Sequence, residues 1–202
     1  MKHELVEHLN KVRESVFELD RILTLQEYSS DPRSVAVTCL LYALNEHIRS
    51  TLQLIISGAT QSAMALIRAT VDGMYCGLWI SACATPTQIR AFEDEGASPL
   101  VLPEITAAVD TAFEANPLFK DVKNRCGNPL CKSNRLGIVQ LGRWAFDSNA
   151  GLRSDERELC DATTTATVCI LFLAAQFLAN QNHPIERQEV ETLAADFAKN
   201  SG

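Results

Sequence analysis

The chain predicts an all-α fold, an antiparallel helical bundle with an insertion of short helices. Apolar residues recur at helical spacing along most of its length, Gly and Pro punctuate it at helix-length intervals, and no stretch alternates as a strand does. The one run rich in β-branched residues, VAVTCLLYAL at 35–44, lies inside a longer helical period and lacks flanking turn residues. A chain of 202 residues fits one domain, 1–202. Such a domain buries about 70% of its unfolded surface and needs no staples.

The first element spans 3–27. Leu5, Leu9, Val12, Val16, Leu19 and Leu23 repeat at steps of four and three, so they form one apolar stripe. That stripe fits a helix lying on a bundle, and it also fits a seam for a second copy. Ser29-Ser30-Asp31-Pro32 then stops one helix and starts another: Ser30 or Asp31 can cap, and Pro32 suits the first turn. The second helix runs over 32–57 and ends at Gly58.

The third element, 62–84, reads SAMALIRATVDGMYCGLWISACA. Ala63, Ala65, Ala69, Gly73 and Gly77 keep one side thin, so a neighbouring helix can approach closely. Met64, Leu66, Ile67, Val71, Leu78, Trp79 and Ile80 fill the rest. The pattern predicts a helix buried on nearly all sides, yet it carries Arg68 and Asp72 one turn apart. Charges in such a place are paired or hydrogen-bonded.

Thr85-Pro86-Thr87-Gln88 is a capping box that opens a short helix over 86–95. Pro99 and Pro103 break the chain before helices over about 104–115 and 117–125. Cys126-Gly127-Asn128-Pro129 is a turn, and 133–146 is weakly helical because Gly137 and Gly142 lower its propensity. The insertion thus covers about 86–146. A long apolar helix over 155–180 closes the bundle, and an amphipathic one follows over 185–199. Within the former, ATVCILFLAAQFLA at 166–179 is 14 residues long, short of the roughly 20 that span a bilayer. No membrane association is expected.

The net charge of −7 makes nucleic acid an unexpected partner. The charge is uneven: 85–119 holds one basic and six acidic side chains, and 120–157 holds eight basic and four acidic ones. The basic stretch reads as solvated loop charge or as a place for a local anion. The seven cysteines are odd in number and mostly sit in apolar helices, which suggests a reducing cytoplasm. The charged first 27 residues do not read as a secretory leader. Cys126 and Cys131 flank a turn, but no CxxC pairs with them, so no metal and no cofactor are expected.

The candidate site residues are polar groups on the second and third helices. Glu46, His47 and Arg49 form one group, and a histidine beside an acid and an arginine can serve acid–base chemistry. Arg68 and Asp72 are spaced to pair on one face. If the two helices form a hairpin about Gly58, Glu46, Arg49, Arg68 and Asp72 lie at one level. They would then form a structural charge network or a pocket for a small polar ligand. Arg135 and Arg143, each near a glycine in RLGIVQLGRW, are secondary anion-site candidates. They lack the lysine and Ser/Thr of a phosphate loop. No GxSxG, HExxH or diiron pattern is present.

On the residues of 62–84, with Arg68 followed by Asp72, then small residues and an aromatic-apolar tail, the chain resembles a family of bacterial helical proteins of unknown function. The resemblance covers about 35–180 and implies an α-helical bundle. The family's acid is usually glutamate, and its histidines are absent from the matching region 132–143. A more distant similarity is to the HEPN superfamily of helical ribonucleases and toxin components. Their arginine is followed four to six residues later by histidine, and no arginine here is. The expected function is a non-catalytic binding or protein-interaction module that self-associates as a homodimer. The alternative is a HEPN-like nucleotide- or RNA-acting enzyme, or a toxin–antitoxin or defence component with a protein partner.

Overall fold

A computed structural model describes residues 3–95, 100–126 and 156–199. Among the described residues there are eight helices and no strand: α1 (His3–Thr24), α2 (Pro32–Ile56), α3 (Thr60–Ala82), α4 (Pro86–Glu95), α5 (Leu102–Ala112), α6 (Pro117–Cys126), α7 (Glu156–Asn180) and α8 (Pro184–Lys199). The expected helix at 133–146 lies outside the described residues.

Local chemistry sets the ends. Asp31 caps α2, accepting from the Ser34 amide at 3.1 Å, with Pro32 in the first turn. Gly58 follows α2 with φ of 82°, a left-handed turn that glycine adopts without strain. The capping box before α4 forms reciprocally: Gln88 accepts from the Thr85 amide at 2.8 Å, and Thr85 Oγ1 accepts from the Gln88 amide at 3.3 Å. The first helix ends three residues before the expected 27. The Tyr28 hydroxyl donates to the Leu23 carbonyl at 2.7 Å and turns the chain there. The fifth helix starts two residues earlier than expected, because Pro103 occupies its first turn instead of breaking it.

The long helices meet in defined directions. Arg33 at the start of α2 touches the carbonyls at the end of α3, so these two run in opposite senses. Asp20 of α1 meets Asn45 and Arg49 of α2. By contrast, α1 and α3 both run with α7: His8 contacts Thr163, Tyr28 packs on Phe177, and Ser81 accepts from Asn180.

Helix α7 is the axis. Every residue from 162 to 175 is buried, under α1, α2, α3, α6 and α8. The helix spans 25 residues, close to the expected 155–180, and, against the expectation from its 14-residue apolar run, it alone among the described residues is long and apolar enough to cross a membrane. Yet 89% of its apolar window is covered by the protein itself. Three of its four threonines suit that setting, while the buried Thr164 hydroxyl has no hydrogen-bond partner among the described residues. The Thr163, Thr165 and Thr167 hydroxyls donate to carbonyls one turn back, so they bring no unpaired donor into the core. One buried cluster draws side chains from all eight helices. Each fully buried Leu or Phe in it contributes about 1.5–3 kcal/mol.

The two glycines of α3 serve different neighbours. A Cβ on Gly73 would stand 2.5 Å from Leu44 of α2, and one on Gly77 would stand 2.6 Å from Leu173 of α7. The small residues therefore admit two helices rather than one.

The α1 stripe is spent inside the molecule. Leu5, Leu9, Val12, Val16, Leu19 and Leu23 are all buried against the bundle, so they offer no seam to a second copy.

Candidate functional site

Arg68 and Asp72 do pair. Arg68 Nε stands 2.9 Å from each carboxylate oxygen of Asp72, as the one-turn spacing requires. The setting differs from the expectation. Their side chains are 30% and 33% exposed, and Ser62 and Ala65 on the same side of α3 are exposed. The helix is therefore not buried all round. Its outward stripe runs Arg68, Asp72, Cys76, each one turn from the next, and its Gly77 and Leu78 side faces the core.

The electrostatics of this stripe are those of a half-buried surface. Partial burial raises the Asp72 carboxyl above its ordinary value, and Arg68 opposes the rise. Burial, followed by the Asp72 charge, pushes the Cys76 thiol up. Cys76 is thus held away from the thiolate form that a nucleophile needs.

The second group is drawn to another helix. Arg49 Nη2 lies 3.0 Å from Asp20 Oδ2, with its guanidinium 5.2 Å from the centre of the Phe17 ring. Asn45, itself buried, donates to the other Asp20 oxygen at 3.3 Å. Asp20 is already oriented by Asn45, and Phe17 supplies a π face, so Arg49 gains more there than from an exposed neighbour on its own helix. Glu46 is exposed and makes no ion pair among the described residues. The four charges expected at one level therefore do not form one network: Arg68 pairs with Asp72 on α3, Arg49 turns to Asp20 of α1, and Glu46 is left out of both pairs. His47 is half-buried, and its Nδ1 has no hydrogen-bond partner. Arg135 and Arg143 lie outside the described residues.

Several polar arrangements were not legible in the sequence. His8 Nε2 is 2.8 Å from Thr163 Oγ1, whose own proton goes to the Leu159 carbonyl, so the imidazole is the donor. Burial, then Lys11, pulls the His8 pKa down, while Asp161 raises it. At one end of the bundle, Gln181 donates to Ser34 at 2.7 Å and accepts from the Ser29 amide at 2.9 Å, and Arg33 reaches the carbonyls of Ile80, Ser81 and Ala84. Arg33 did carry a signal: a cation in a helix's first turn faces an unfavourable dipole and is better placed at another helix's end.

The short helices dock through aromatic rings. Phe119 of α6 stands 5.6 Å from Phe172 of α7 and 6.3 Å from Tyr75 of α3, and Phe113 closes the cluster. Lys123 joins α6 to Asp110 of α5 at 2.8 Å.

A shallow groove of about 530 Å³ lies between α1 and α8. Ile22, Ile185 and Leu193 line it, within a rim that carries Glu18, Arg21, Glu189 and Asp196. Ile185 is 68% exposed, and Leu25, just past the end of α1, is 67% exposed. Among the described residues no three of His, Cys, Asp and Glu gather as a metal site. No family model matches this chain, and no curated protein or solved structure does.

Proposed function

We propose that the chain is a helical binding module of a reducing, cytoplasmic setting that self-associates, with the face between α1 and α8 as its contact. The observation that carries this reading is the groove there, whose apolar floor includes the strongly exposed Ile185. Its rim bears both signs of charge. Arg21 and Glu189 are each about half exposed and stand 3.6 Å apart, a pair weak enough to exchange for the same pair across a two-fold axis. An isologous contact needs this self-complementarity. Binding in place of chemistry is supported by the state of the reactive groups: the Cys76, Cys83 and Cys160 thiols are all raised by burial. The likeness to bacterial helical proteins belongs to the same proposal. Ribonuclease chemistry does not, since no arginine precedes a histidine at the HEPN spacing.

The test is sedimentation of the chain over a dilution series beside Ile185→Glu. Ile185 supports no core contact, so the variant is expected to fold with an unchanged melting temperature and to sediment as a monomer. A wild-type chain that is monomeric at every concentration would end this reading.

A further inference from the structure

We propose that Cys126 and Cys169 form a redox modification site, a thiol pair that a peroxide converts to a disulfide tying α6 to α7. The inference stands apart from the self-association reading. The two sulfurs are 3.5 Å apart, a thiol–thiol contact across 43 residues of sequence. Helix periodicity places them. On α6, Phe119, Val122 and Cys126 share one face at steps of three and four, and both Phe119 and Val122 are buried. On α7, Cys169 lies three residues before Phe172 and is also buried. The Phe119 and Phe172 rings pack with their centres 5.6 Å apart, so each cysteine extends its helix's contact stripe toward the other. Closing from contact to a bond of about 2.05 Å is within the reach of a side-chain rotation at the last residue of α6.

The chemistry balances with a peroxide as oxidant. Cys126 is half-buried and is the more accessible of the two. Its sulfur attacks the peroxide, the O–O bond breaks, and a sulfenic acid and one water form. Cys169 sulfur then attacks the sulfenic sulfur. The S–O bond breaks, the thiol proton joins the departing hydroxide, and a second water leaves. Two thiols lose two electrons and the peroxide gains them. A dithiol reductant returns the pair by exchange. The bond would close a loop through residues 126–169. Loop closure of that length stabilises the folded chain by restricting the unfolded one, raising the melting temperature by roughly 5–10 °C.

The experiment exposes the full chain to hydrogen peroxide, blocks remaining thiols, and maps cross-linked peptides by mass spectrometry, with melting followed in parallel. The expected result is a Cys126–Cys169 cross-linked peptide, reversed by dithiothreitol, and a melting temperature raised by roughly 5–10 °C. Cys126→Ser should fold as the wild type does and lose both effects, and Cys131→Ser should keep both. Peroxide that yields only sulfinic acid on Cys126, or a cross-link from Cys126 to Cys131, overturns the proposal. So does a cross-link that leaves the melting temperature unchanged.

Discussion

Arg33, in the first turn of α2, donates from Nη2 to the carbonyl of Ala84 at 2.7 Å, just beyond the end of α3. Its other terminal nitrogen reaches the carbonyls of Ile80 and Ser81. Helix α3 ends without a glycine, so no left-handed cap satisfies its last carbonyls. Arg33 takes that part from a neighbouring helix. Its charge also sits where the α3 dipole is negative, which offsets its poor position on α2. Replacing Arg33 with Met removes three charge-assisted bonds and leaves partly buried acceptors unmet. The expected loss is about 2–3 kcal/mol by chemical denaturation. Retained stability would show that water serves these carbonyls equally well.

The Arg68–Asp72 pair is worth less than its place in an apolar sequence suggests. A fully buried pair loses about 3–5 kcal/mol when one partner is removed. This pair is about one-third exposed, so surface behaviour applies. Arg68→Ala is expected to lower stability by about 1 kcal/mol. A melting temperature that does not move would show that the pair holds nothing together.

His8 gives the protein a pH dependence of stability. Its folded pKa lies below the ordinary value near 6.5, chiefly through burial. Above about 6.5 both folded and unfolded forms are neutral, and the contribution of His8 is fully present. As pH falls below that value the unfolded chain takes up a proton first, and stability declines through the folded pKa. His8→Gln keeps a donor for Thr163 and should flatten the stability profile as pH falls below about 6.5. Profiles that superimpose would remove His8 from the account.

Gly77 tests the closeness of α3 and α7. An added Cβ meets Leu173, whose two methyls would stand 2.6 and 2.9 Å away in a fully buried position. Overpacking costs about 1–3 kcal/mol, and the better helix propensity of Ala returns up to about 1 kcal/mol. Gly77→Ala is therefore expected to destabilise by about 1 kcal/mol, and Gly77→Val by more. A stabilised Gly77→Ala would mean that Leu173 swings aside freely.

Much of the fold was legible because its signals are local. The Asp31 cap with Pro32, the Thr85–Gln88 box and Gly58 each act within four residues, and they set helix ends close to where the chain places them. Proline misled where it opens a helix, as Pro103 does, because a breaker and a first-turn residue look alike in sequence. The site was legible only in its i, i+4 part, Arg68–Asp72. Arg49 chose Asp20 over its own helix neighbour, and Arg33 found carbonyls about fifty residues away. Those partners depend on helix rotation and register, which apolar periodicity alone leaves free by a turn. The α1 stripe shows the same limit: its spacing suits a bundle or a dimer seam, and the structure spends it on the bundle.

The most direct measurement is the native mass of the purified chain, read beside its ratio of absorbance at 260 and 280 nm. The expected result is twice the mass of one chain, no added ligand mass, and an absorbance ratio of protein alone. A single chain carrying a nucleotide or RNA would contradict it and return attention to enzyme chemistry.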